Sequence, residues 1–141
     1  MEAFTEEETR VVVGVDRSSA ARAALEWAMR QGACTGAVVE PVTVYHWFPM
    51  PIEDIDFKGL ATHMLEDALL DVADPGAPVK IISKVVQGSP AKVLLQEAAG
   101  AERLVVGSHR RGGITEALLG SVAHYCLHHA PCPVVVVREA G

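Results

Sequence analysis

The residues from Gly107 to Val122 hold the clearest chemical pattern in the chain. Glycines stand at Gly107, Gly112, Gly113 and Gly120, with His109, Arg110 and Arg111 between them and Ser121 after the last. The apolar run Leu104, Val105, Val106 comes before, and Val122, Ala123, Cys126 and Leu127 follow at helical spacing. That order predicts a strand, a glycine-rich loop and a helix. Such a junction offers unpaired backbone N–H groups at the positive end of a helix, which together favour a phosphate.

The elements that must position this loop are legible as alternating apolar runs and helical patterns. Val11 to Val15 reads as a buried strand, ending in Gly14, Val15 and Asp16. Ser18 or Ser19 caps the next helix, and Gly32 is its expected stop. Val38 to Trp47 is a second strand. Pro41 lacks an N–H, so pairing is expected to begin just after it. Phe48 to Phe57 reads as a loop, and a helix with Leu60, Met64, Ala68, Leu69 and Val72 on one face follows. Val79 to Val86 is a third strand, with Lys80 and Lys84 as the charges of an exposed edge. Ser89 and Pro90 start a helix that runs to about Ala99 and ends at Gly100. The fourth strand covers Leu104 to Val106, and Val134 to Val137 forms the fifth.

This β-α-β-α-β-α-β-α-β order predicts an α/β fold. It is a five-stranded parallel open sheet, strand order 3-2-1-4-5, with helices on both faces. Ligands bind such sheets beyond the carboxyl ends of strands 1 and 4, where the winding reverses. Val15 and Asp16 fall there, as does the chain from Gly107 onward. Strand 5 is an edge without charge or bulge, so pairing with a second copy through 134–137 is expected to give a homodimer.

Composition narrows the classes. The chain has 141 residues, half of them hydrophobic, and reads as one domain, 10–141, behind a flexible tail, 1–9. A net charge of −6 argues against binding nucleic acid or anionic membrane. The tail carries four glutamates and no apolar segment, so no signal peptide is read and the expected location is cytoplasmic. Cys34, Cys126 and Cys132 show no CxxC spacing and read as free thiols.

The motif Gly-x2-Gly-x9-Gly-Ser/Thr after a strand resembles the nucleotide loop of the universal stress proteins. The start Gly14-Val15-Asp16, the Gly88-Ser89-Pro90 helix start and the ending from Ala130 to Val137 also resemble that family. The likeness runs from Arg10 to Arg138. It implies the adenine nucleotide alpha hydrolase-like fold and a site for ATP or AMP, with or without Mg²⁺. It implies Asp16 near the ribose and backbone around His46 at the adenine. It implies Gly107, Gly120, Ser121 and Val122 around the phosphates, with Val106, His109 and Gly113 beside them. It further implies a homodimeric regulatory module with protein partners yet to be identified, and at most slow ATP hydrolysis.

Physical chemistry is consistent with those roles. A carboxylate accepts two ribose hydroxyls, Gly107 admits close backbone approach, and Ser121 aims a hydroxyl and free N–H groups at an anion. Asp16 also fits a plain helix N-cap. The departure is Arg110, which stands where the motif has its second glycine. Arginine at positive φ costs about 1 kcal/mol, and its bulk crowds phosphates, although a guanidinium also holds phosphate bidentately. The alternative is therefore a nucleotide-free dimeric scaffold or chaperone-like protein in which Arg110 blocks the site.

Other chemistries lack parts. His124 and His128 share a helix face but have no third ligand, so no metal is expected. There is no Gly-x4-Gly-Lys-Ser/Thr and no Gly-x-Ser-x-Gly. An acidic cluster beside Asp16 and a His-x-Gly-His signature are likewise absent.

Overall fold

Valines on alternate sides of the strands divide the interior into two layers. The computed structural model describes residues 8–46, 55–108 and 120–139. Its strands are β1 (Arg10–Gly14), β2 (Val38–Tyr45), β3 (Lys84–Gln87), β4 (Arg103–Gly107) and β5 (Val134–Val137). They pair in parallel in the order β3-β2-β1-β4-β5, as the sequence predicts. The helices are α1 (Ser19–Thr35), α2 (Phe57–Val72), α3 (Pro90–Glu97) and α4 (Ser121–His129). Val11, Val13 and Val15 pack with Ala24, Leu25 and Leu65 on the α1/α2 face. Val12 and Val42 pack with Leu94, Ala123 and Cys126 on the α3/α4 face. Because successive strand residues point oppositely, an unbroken apolar strand is what two covered faces require.

Six sequence expectations are corrected by tertiary context. Pairing of β2 begins at Val38, opposite Arg10, and not after Pro41. Val38 N–H donates to Thr9 on the β1 side and Val39 N–H to Lys80 on the β3 side. Alternation therefore turns the Pro41 nitrogen toward β3, and the proline removes a bond from that side alone. The third strand is accordingly broken: Ile81 bridges Val39, and regular pairing resumes only at Lys84. Lys84 is also not a simple edge charge. Its Nζ lies 2.8 Å from Glu97 Oε2 and 3.6 Å from Glu40 Oε1.

Gly32 does not stop α1. The helix continues to Thr35 and ends at Gly36, whose φ of 79° is the left-handed cap conformation. Gly32 is small for a different reason. A Cβ there would stand 2.7 Å from Val79 Cγ1 and 2.9 Å from Val39 Cγ2. On α4, Ala123 and Cys126 are buried, but Leu127 is 46% exposed and faces away from the core. The third helix also ends at Glu97, two residues short of Ala99.

One buried ionic cluster stands among the apolar side chains. Glu40 is fully buried, within 3.4 Å of Arg10 Nη1 and 3.6 Å of Lys84 Nζ. Burial pushes the Glu40 carboxyl above its ordinary value, against the pull of Lys84 and Arg10. No helix among the described residues is long and apolar enough to cross a membrane.

Two outcomes follow. Gly32→Ala is expected to destabilise by about 1–3 kcal/mol in urea unfolding, because overpacking outweighs a helix-propensity gain of about 1 kcal/mol. A more stable variant would refute the close approach of α1. For Glu40, a raised folded pKa gives stability that is full below the ordinary value of 4.5 and is lost as pH rises through the folded value. Relative to Glu40→Gln, wild type is therefore expected to lose stability as pH rises from 4.5 toward neutrality. A constant difference across that range would count against the raised pKa.

Candidate functional site

At the carboxyl end of β1 the chain leaves the sheet in two steps. Val15 N–H donates to Val42 O at 2.9 Å, and Thr43 Oγ1 donates to Val15 O at 3.0 Å. Asp16 Oδ1 then accepts from Ser18 N–H at 2.8 Å, an Asx-type turn. Ser18 is the N-cap of α1, with Oγ accepting from Ala21 N–H at 3.0 Å. Asp16 thus shapes the turn two residues before the cap. Its second carboxylate oxygen has no hydrogen bond among the described residues, and the side chain is exposed.

Gly107 ends β4 against α1. A Cβ at this position would lie 2.6 Å from Ala20 C and 2.7 Å from Ala21 N. The glycine is required first by the backbone of α1. Gly14 has a related role on the other face, where a Cβ would meet Leu94 Cδ1 at 2.9 Å.

The chain re-enters at Gly120, the N-cap of α4, in an extended conformation and without a side-chain capping bond. Gly120 O accepts from His124 N–H at 2.9 Å. The N–H groups of Ser121, Val122 and Ala123 precede the first intrahelical bond and have no helical acceptor. Ser89, the N-cap of α3, also makes no side-chain capping bond.

These ends enclose one cleft of about 160 Å³. Gly14, Val15, Asp16, Val106, Gly107, Gly120, Ser121 and Val122 line it together, so eight residues singled out from the sequence meet in space. His46 does not: it is exposed just past β2, and β2 contributes Val42 and Val44. His109, Arg110 and Gly113 lie outside the described residues. Sequence reading did not find Ser18, Ala21, Val42, Val44, Pro90, Leu94 or Ala123. Strand alternation and the Ser89-Pro90 helix start were the available signals for most of them.

Chemically, the cleft has an apolar side and a polar side. Val42, Val44 and Leu94 form a surface suited to a flat ring. Opposite stand the uncapped start of α4 and the capped start of α1. Asp16 is the only ionisable side chain among the described lining residues. Among the described residues, attraction for an anion therefore comes from backbone amides and helix dipoles, each worth about 0.3–1 kcal/mol at an accessible site. Elsewhere on α4, the His124 and His128 rings lie 4.6 Å apart, edge to face. Among the described residues, no group of three or more His, Cys, Asp or Glu converges as a metal site.

Comparison with known proteins places the chain in one family. A model described as Universal stress protein family matches residues 8–138. A universal stress protein of Mycobacterium tuberculosis is 36% identical over 140 residues, covering 92% of this chain and 45% of its own length. The chain therefore spans about half the length of the curated relatives it matches. A universal stress protein solved in complex with cAMP superposes with a TM-score of 0.74 at 27% identity, over 94% of this chain and 98% of that one. An Arabidopsis thaliana family protein with AMP bound gives a TM-score of 0.67 at 24% identity, over 94% and 93%, a likeness of fold.

The contact at Gly107 is open to test. Gly107→Ala is expected to destabilise by about 3 kcal/mol, more than Gly32→Ala, because its Cβ meets backbone and not movable side chains. Chemical denaturation measures both, and a loss at Gly107 smaller than at Gly32 would reverse the ranking.

Proposed function

Since the chain belongs to the universal stress protein family, we propose that its cleft binds an adenine nucleotide and that binding serves regulation and not turnover. The observation that carries this reading is that the uncapped start of α4 and Asp16 line one cleft with the apolar Val42, Val44 and Leu94. The cAMP complex of a family member at 27% identity supports the ligand class.

In this reading the ring lies against Val42, Val44 and Leu94, and the free oxygen of Asp16 accepts a ribose hydroxyl. Ser121, Val122 and Ala123 donate N–H groups to phosphate oxygens, and the Ser121 hydroxyl adds one more donor. ATP and AMP differ in how far their phosphates extend beyond these amides. A Mg²⁺ companion would find one carboxylate here, Asp16. No general base faces the phosphates among the described lining residues, which favours a binding module over a hydrolase. Bound nucleotide alters the surface around Gly107, Gly120 and Ser121, which a partner then reads. The module is a homodimer paired through 134–137 and works in the cytoplasm.

Arg110 favours a second reading, a nucleotide-free dimeric scaffold, because arginine replaces the glycine of the motif.

Denaturing freshly purified protein and analysing the supernatant by ion-pair chromatography tests for retained nucleotide. Calorimetric titration with ATP, AMP and cAMP then gives affinity. Wild type is expected to bind in the micromolar range, and Asp16→Ala to bind about 10-fold more weakly, the loss of roughly one charge-assisted hydrogen bond. Binding that appears only in Arg110→Gly would establish the scaffold instead.

A further inference from the structure

Among the described residues, one set of buried charges lies outside the cleft and still touches an element that forms it. Arg10 is 7% exposed at the start of β1. Its Nη1 donates to Glu97 O at 2.6 Å and its Nη2 to Ala99 O at 2.7 Å. These carbonyls close α3 and the turn after it, where helical acceptors have run out of donors. Glu40 on β2 holds the guanidinium from below, 3.4 Å from Nη1. Lys84 on β3 links Glu40 to the Glu97 side chain. One arginine thus joins the carbonyl end of α3 to the sheet.

The start and the middle of α3 form a wall of the cleft through Pro90 and Leu94. The start has no side-chain capping bond at Ser89. Leu94 and Glu97 lie within one turn, about 4.5 Å apart along the axis, so holding the backbone at Glu97 constrains Leu94. Leu94 stands over Gly14, with too little room for a Cβ between them. A small shift of α3 therefore changes the wall directly.

We propose that Arg10 is a positioning residue for the cleft: by holding the carbonyl end of α3 it sets where Leu94 stands over β1. Its consequence for affinity rests on the nucleotide reading above, but its consequence for the wall does not. Arg10 touches no ligand, and its effect passes entirely through α3.

The test separates the two. Arg10→Met alone strands the Glu40 carboxylate beside Lys84, so the informative variant is Arg10→Met with Glu40→Leu, which removes both buried charges. In ligand-free protein, methyl NOEs between Leu94 and Val42 read the wall, and amide exchange of residues 90–99 reads the helix. The double variant is expected to fold, to lose or weaken the Leu94–Val42 NOE, and to exchange about 10-fold faster across α3 than across β1. Binding of cAMP is expected to weaken about 10-fold, with partial recovery in Arg10→Lys, which donates without the fork.

An unchanged NOE and unchanged α3 exchange in the folded double variant overturn the proposal. A moved wall with unaltered nucleotide affinity supports the placement of Leu94 and overturns its consequence for affinity. A moved wall in a protein whose wild type binds no cAMP, AMP or ATP supports the positioning role and removes the nucleotide reading. If the double variant does not fold, Arg10→Lys decides, and α3 exchange equal to wild type overturns the role.

Discussion

Strand β4 ends without a side chain because the backbone of α1 already occupies the space. A Cβ at Gly107 would stand within 2.7 Å of three backbone atoms of Ala20 and Ala21, none of which can rotate away. Much of the cleft depends on this contact. It holds the start of α1 against the end of β4, so that Ser18 and Ala21 come beside Gly120 and Ser121. On the other face Gly14 leaves space that Leu94 fills. Two missing side chains at the ends of neighbouring strands let two helices approach, one from each side. The switch point of the sheet then becomes a cleft with helix starts around it.

The α3/α4 face is graded along the strands. On β1 it reads Arg10, Val12, Gly14; on β2 it reads Glu40, Val42, Val44. Charge lies at one end, packed valine in the middle and open space at the other. Buried charge is expensive unless each group has partners, and here the partners are supplied by three strands and a helix end. Breaking one member alone leaves the others exposed to that penalty, so the cluster acts as a unit.

Much of the architecture was readable from valine runs and helical spacing, since parallel strands covered on both faces leave few other solutions. Eight cleft residues were readable too, because a glycine-rich junction and the end of β1 must meet at the reversal of winding. What escaped depended on contacts distant in sequence. Gly32 looks like a helix stop until Val39 and Val79 are seen against it. Arg10 and Glu40 are 30 residues apart, and nothing local marks them as a pair. Pro41 was read correctly as a missing donor, but one sequence cannot say which neighbour loses the bond. His46 came from the family resemblance, which sets the adenine at the end of β2, whereas the strand lines the cleft earlier, at Val42 and Val44.

The break opposite Pro41 has a consequence for how copies of this chain can polymerise. The sheet has two unequal rims. On the β3 side, the strand itself is interrupted between Ile81 and Lys84, where its pairing with β2 lapses. On the β5 side, four valines run without interruption. A fibre growing edge to edge needs two receptive rims on every subunit, one to join and one to extend. A broken strand is a poorer template for a second chain than an unbroken one, so Pro41 weakens the β3 rim from the strand beside it, three strands away from β5.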